Sequence, residues 1–299
     1  MNNSTRNFKM KKLLIASTAL VATAGMAYAD VTVTGHAAAG FHSGLDNVAT
    51  TTDTTDIAGD GVYSNAGVDF TMTGATDNGI SFSASVNIDA GTEIDSGDFE
   101  FDGADGGTAG LGSVSMTGSF GTLTFDDGGI DNLYNGDYTS ADVSYSTTVG
   151  AVSLSVAHDS AGVAQANSMS AGYSASGMTF ALAASEDTAG TSASLKVSYA
   201  LNDTVSVTGK TDQVAGAESV QTITAATTLN GVSVSVSSAN NSTWDVDLGY
   251  TAGGFALTYG VDETDGWTAT ATTALGGGAT FSAGVDNNDS TYAGVSFAF

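Results

Sequence analysis

The chain has 299 residues, with 32 acidic against six basic side chains, and neither Cys nor Pro. Without Cys, disulfides, thiolate catalysis and Cys-based zinc sites are excluded, and a formal charge of −26 lacks the basic footprint of a nucleic-acid binder. Cations are the natural partners of such a field, and the absence of Pro suits long hydrogen-bonded strands.

The first element in the chain reads as a leader. Lys11 and Lys12 form a charged start, Leu13 to Ala24 an apolar run, and Ala27-Tyr28-Ala29 a small-residue cleavage site. That is the pattern of an export signal over Met10–Ala29, with residues 1–9 an extended charged leader or a misassigned start. The expected division is a leader and signal peptide over residues 1–29 and one domain over residues 30–299. Arg6, Lys9, Lys11 and Lys12 lie in the leader, so Lys196 and Lys210 stand against all 32 acidic residues, a mature charge of −30. No later segment has the roughly 18 consecutive apolar residues of a spanning helix.

Beyond the leader the sequence alternates with period 2, apolar on one face and small or polar on the other. Ile80, Phe82, Ala84, Val86 and Ile88 alternate with Ser81, Ser83, Ser85, Asn87 and Asp89. Val152, Leu154 and Val156 do the same over Ser153 and Ser155, and Val232, Val234 and Val236 over Ser233, Ser235 and Ser237. Trp244, Val246, Leu248 and Tyr250 alternate with Asp245, Asp247 and Gly249; Phe255, Leu257, Tyr259 and Val261 with Thr258, Gly260 and Asp262. The chain closes in the same way, with Ala293, Val295, Phe297 and Phe299 facing away from Gly294, Ser296 and Ala298.

Short turns rich in Gly, Asn and Asp punctuate these runs at Thr76–Gly79, Gly118–Gly121, Val149–Ala151, Ala175–Gly177, Leu201–Asp203, Asn230–Gly231, Ala252–Gly254 and Leu275–Gly278. Such residues supply the positive φ of tight hairpins. The connections between them are longer and acidic, above all His42–Val62, Gly91–Gly112 and Asp126–Ser140. Aromatic residues of apolar parity gather near strand ends: Phe120, Tyr173, Phe180, Tyr250, Phe255, Phe281 and Phe299 on the short-turn side, Trp244, Tyr259 and Trp267 on the other. Together these features predict an all-β, transmembrane antiparallel β-barrel. Counting strands around the turns gives 18, with 16 as the competitor, and either size leaves an aqueous channel. The small lumen-facing residues do not interlock into a plug, which favours a passive pore.

Three segments carry a family resemblance. Ala66–Ile88 (AGVDFTMTGATDNGISFSASVNI), Gly112–Asp137 (GSVSMTGSFGTLTFDDGGIDNLYNGD) and Ala274–Phe299 resemble trimeric general diffusion porins of Gram-negative bacteria, particularly the alphaproteobacterial type. The resemblance implies an outer-membrane homotrimer of hollow barrels, each constricted by an inward-folded third loop, passing small hydrophilic solutes and ions without a required cofactor. It places Asp126, Asp127, Asp131 and Asp137 on that loop. The family sets an Arg/Lys cluster on the facing wall; with no Arg beyond the leader, the transverse field here is weaker or absent. The short loop implies a wider eyelet, and an 18-strand count departs from the family's sixteen.

Parity turns both mature lysines inward. Lys196 alternates with Leu195 and Val197, and Lys210 shares the face opposite Val205 and Val207. The turn between their strands makes them cross-strand neighbours, either a residual basic wall of the eyelet or neutralising partners of carboxylates such as Asp212. The acidic loops (Asp46, Asp53, Asp56, Asp60; Glu93, Asp95, Asp98, Glu100, Asp102, Asp105) offer carboxylates to Ca2+, but none matches an EF-hand loop, and a solvated acidic surface is the competing reading. His36, His42 and His158 form no metal motif, and no G-x-S-x-G elbow marks an enzyme. The reading is an outer-membrane, cation-preferring channel; the alternative is an exported acidic adhesin or surface-layer protein. A sugar-selective pore would want lumen-facing aromatics, whereas most here have lipid-facing parity.

Overall fold

The computed structural model describes residues 28–45, 60–95, 99–101, 105–136, 138–160, 162 and 166–299. Its strands are β1 (Tyr28–Ser43), β2 (Gly61–Ala75), β3 (Ser81–Gly91), β4 (Ile94–Asp95), β5 (Glu100–Phe101), β6 (Asp105–Gly118) and β7 (Gly121–Asp131). There follow β8 (Thr139–Val149), β9 (Val152–His158), β10 (Asn167–Ala175), β11 (Met178–Asp187), β12 (Gly190–Ala200) and β13 (Val205–Gln213). The rest are β14 (Val220–Leu229), β15 (Val232–Ala239), β16 (Trp244–Ala252), β17 (Phe255–Asp262), β18 (Trp267–Gly276), β19 (Ala279–Asp286) and β20 (Thr291–Ala298).

All but β4 and β5 belong to one 18-stranded sheet. Every pairing is antiparallel between chain neighbours, and β1 pairs with both β2 and β20, so the sheet closes on itself. Closure leaves no open edge, the condition for sheet in a hydrocarbon solvent. The upper end of the expected 16–18 strands is therefore the observed one. All eight short turns fall between consecutive strands where the sequence places them. At Asn230-Gly231 both residues have positive φ, 52° and 83°, the pairing that matches a two-residue turn to strand twist.

The long connections are shorter than the sequence suggests. β7 continues to Asp131 instead of yielding to a loop at Asp126. Its register with β8 jumps from Phe125↔Val143 to Ile130↔Ala141, so residues 126–129 bulge out opposite Asp142. Likewise β6 starts at Asp105, and two register shifts against β3 absorb its glycines.

Parity holds around the ring. Ser237 and Asp245 are register partners and hydrogen-bonded, 2.9 Å apart, which puts Val232, Val234 and Val236 on the opposite, outer face. That outer face exposes Val156, Tyr173, Leu195, Tyr199, Val236, Leu248, Tyr250, Tyr259 and Phe297. Two aromatic contacts lie on it: Tyr173 against Phe180 at 6.2 Å, and Tyr259 stacked on Trp267 at 6.3 Å. Large exposed apolar residues all round would be a liability in water and are the normal exterior of a membrane barrel.

Candidate functional site: a lumen with loops on two walls

The segment between β7 and β8 turns into the barrel. Asn132 caps its own loop, its Oδ1 accepting the Tyr134 and Asn135 amides at 2.9 and 3.1 Å. The same side chain donates through Nδ2 to Ser185 of β11 at 2.8 Å, and the Leu133 amide donates to Ser168 of β10 at 3.0 Å. Asn132, Ser168 and Ser185 are all buried. Tyr134 donates its hydroxyl to Asp212 Oδ1 of β13 at 2.6 Å. Loss of solvation comes first and the Asp212 carboxylate second in pushing the Tyr134 phenol up from 10.0 to about 12. The face that receives this loop is opposite the exposed Met169, Leu182 and Leu195, so it is the lumen face. Short serine side chains at the docking points let a backbone segment lie close against the wall.

Lys196 and Lys210 are direct register partners between β12 and β13, and both face the lumen. Lys210 Nζ is 2.7 Å from Asp212 Oδ2, so Asp212 takes the Tyr134 hydroxyl on one oxygen and the ammonium on the other. Lys196 is exposed on the same wall. Both lysines thus sit on the wall the loop docks against. Of the loop aspartates, Asp126 is half-buried in the β7 bulge, where a Cβ added at Gly129 would overlap its carboxylate. Asp127 is exposed, and Asp131 is exposed and accepts the Thr139 hydroxyl at 2.6 Å. Asp142 of β8 accepts the amides of Gly128 and Ser160, at 3.1 and 2.7 Å, tying the bulge to the next loop. Residues 1–27 of the expected leader at 1–29, and Asp46, Asp53, Asp56, Asp98, Asp102 and Asp137, lie outside the described residues.

A second inward element was not legible in the sequence. Phe99, at the tip of the β4–β5 ribbon, packs edge-on against Tyr292 of β20, ring centroids 5.4 Å apart, and is buried with Leu45 and Tyr63. Tyr292 pairs with His42 and Tyr63 with Gly40, on the face shared with Ser296. Glycines make room for the rings: a Cβ at Gly294 would overlap the Tyr63 hydroxyl, and one at Gly284 would overlap Tyr292. This wall, β19–β20–β1–β2, lies about half the ring from β10–β13. The two loops therefore flank the lumen from opposite sides. Near the second, His36 Nε2 lies 3.5 Å from Asp89 Oδ1, across Gly67 of β2.

Between these walls the lumen is acidic. Asp245 and Asp262 are register partners on β16 and β17, and Asp247 follows on the same face beside Gly260. Like charges directly opposite each other destabilise a sheet, so this arrangement costs the wall stability and concentrates negative field in the lumen. Among the described residues, no three His, Asp or Glu side chains converge as a metal site.

A family model for Gram-negative porins matches residues 16–298. Among solved structures, a mutant of the Rh. blastica porin superposes with a TM-score of 0.54 at 14% identity, covering 90% of this chain and all of that one. A triple mutant of the Rhodopseudomonas blastica porin gives the same TM-score, identity and coverage. A third mutant of the Rh. blastica porin reaches 0.53 at 15% identity over 90% of this chain and 100% of its own. No curated protein matches the sequence. With a family match over nearly its whole length and a closed barrel of the corresponding architecture, the chain belongs to the Gram-negative porin family and is a channel-forming barrel of the outer membrane.

Proposed function

We propose that the chain, after removal of residues 1–29, forms a homotrimer of water-filled, cation-preferring pores for passive diffusion of small hydrophilic solutes and ions. The observation that carries cation preference is the composition of the inner face. Asp89, Asp245, Asp247 and Asp262 line it, Asp245 and Asp262 in direct opposition, while one of its two lysines is neutralised by Asp212. A charged wall in a low-dielectric pore enriches counter-ions. In this reading the described loop residues 132–136 narrow the pore, Asp126, Asp127, Asp131 and Asp137 are its acidic constriction residues, and Lys196 and Lys210 stand on the docking wall. No step needs a cofactor; Ca2+ held by loop carboxylates would only screen the field.

Reversal potentials of single channels across a salt gradient test this reading. A cation-selective sign is expected. An anion-selective sign at about 0.1 M salt, where the screening length is about 10 Å, rejects it. Sedimentation of a native detergent extract as a trimer supports the assembly; a monomer rejects it.

A further inference from the structure

We propose that the pore loop carries a self-modifying site at Asn135-Gly136, where the asparagine converts to aspartate and isoaspartate and so adds a carboxylate to the narrow part of the channel. The reaction needs no partner beyond water. The Gly136 amide nitrogen attacks Asn135 Cγ. That C–N bond forms, the Cγ–Nδ2 bond breaks, and Nδ2 leaves as ammonia with the proton given up by the attacking nitrogen. Water then opens the cyclic imide at either carbonyl. One opening gives aspartate; the other gives isoaspartate, whose main chain runs through the former side chain and is longer by a carbon.

The sequence has three Asn-Gly pairs, Asn78-Gly79, Asn135-Gly136 and Asn230-Gly231, and their surroundings set one apart. Gly79 has φ 81°, and its amide is engaged, donating to the Thr76 carbonyl at 3.0 Å. Asn230 and Gly231 hold φ of 52° and 83° in a two-residue hairpin, so moving the amide onto the side chain would open the turn. At Gly136 no such constraint acts. It is exposed, its φ is not left-handed, and its amide donates to no described residue. A Cβ built there meets nothing within 4 Å. Neither turn geometry nor packing asks for glycine here, and the missing side chain leaves the nucleophile unshielded. The main chain of Asn135 is held on both sides: its amide donates to Asn132 Oδ1 at 3.1 Å, and its carbonyl accepts the Tyr138 amide at 3.2 Å. A longer main chain breaks that spacing beside Tyr134, which anchors the loop to Asp212. The new carboxylate joins Asp187 and Asp212 on a cavity of about 420 Å³ between loop and wall. Charge added where the path is confined enriches counter-ions. The chemistry stands by itself; its consequence for selectivity rests on the channel reading.

The test incubates the full folded barrel, warm and at mildly alkaline pH, and samples it over time. Peptide mass mapping reads conversion at each Asn-Gly pair, an isoaspartyl methyltransferase labels the isoaspartate, and reversal potentials are taken on the same preparations. Conversion at position 135 is expected to run ahead of positions 78 and 230, with the reversal potential shifting toward greater cation preference in step. Asn135→Asp should show the raised preference from the start. Gly136→Val, whose side chain enters open space, should lose the conversion and hold its selectivity level with time. Heat-modifiable gel mobility checks that each variant is folded. Earlier conversion at position 78 or 230, or unchanged conversion in Gly136→Val, overturns the site. Conversion with level selectivity, in wild type and in Asn135→Asp alike, overturns its role in the pore. An anion-selective sign in fresh wild type rejects the channel reading alone, because the mass map still decides the site.

Discussion

Tyr134 joins the pore loop to its wall by a hydrogen bond to a carboxylate that is also held by Lys210. Tyr134→Phe removes the donor but leaves Asp212 paired, so the expected cost is at the lower end for a charge-assisted bond, roughly 1–2 kcal/mol of loop attachment. The pH dependence has a definite sign. The folded phenol holds its proton to about 12, above the ordinary 10.0. The folded state therefore binds more protons in that interval, and stability falls as pH rises. The contribution is complete below about pH 10 and is lost as pH passes about 12. Open-channel current noise in wild type should stay level to pH 10 and grow above it; Tyr134→Phe should be noisier at neutral pH and flat through that interval. Equal pH profiles would show that the phenol does not hold the loop. Nothing in the sequence marks Tyr134, because its partner lies 78 positions away. The inward lysines were legible, since strand parity and one short turn fix their pairing.

Two elements depart from the period-2 pattern, and both sit in the lumen. The loop at residues 132–138 is held by serines that parity turns inward. The β4–β5 ribbon is held by Phe99, whose buried partners come from β2, β20 and the residue Leu45 just beyond β1. Alternation identifies which face a strand residue takes but not what a loop residue finds there, which is why the ribbon was unforeseen. The bulge at residues 126–129 misled in the other direction. Its Asp-Asp-Gly-Gly run reads as the start of a long acidic loop, yet Gly128, with φ 78°, lets β7 resume pairing. The ribbon should be separable from the barrel. Phe99→Ala removes a buried ring at a cost near 3 kcal/mol, set against a closed sheet that does not depend on it. Conductance should rise and protease should cleave faster within residues 92–104, while the heat-modifiable band is unchanged. Unchanged conductance would place the ribbon outside the ion path.

At the scale of the whole molecule, closure and charge act together. Eight turn signals with consistent parity make an 18-stranded ring legible, because a one-residue slip would bring the apolar face of a strand into the water-filled lumen. A ring of this size keeps water inside, and its side chains set what the water contains. The screening length of about 8 Å at physiological salt limits which carboxylates matter. Charges in the outer loops act over open water and fade with salt, whereas those on the lumen wall face a confined path. Replacing Asp126, Asp127, Asp131 and Asp137 by Asn should therefore lower cation preference more than replacing Asp46, Asp53, Asp56 and Asp60. The gap between the two variants should widen as salt rises. Asp245→Asn with Asp262→Asn should lower preference further, because the change removes two lumen-facing charges in direct opposition. Lys196→Ala should raise preference more than Lys210→Ala, since the second lysine is already paired with Asp212. Reversal potentials at two salt concentrations check the ranking. If the outer-loop variant loses as much selectivity as the lumen variants at high salt, the field that selects cations lies at the mouth rather than along the wall.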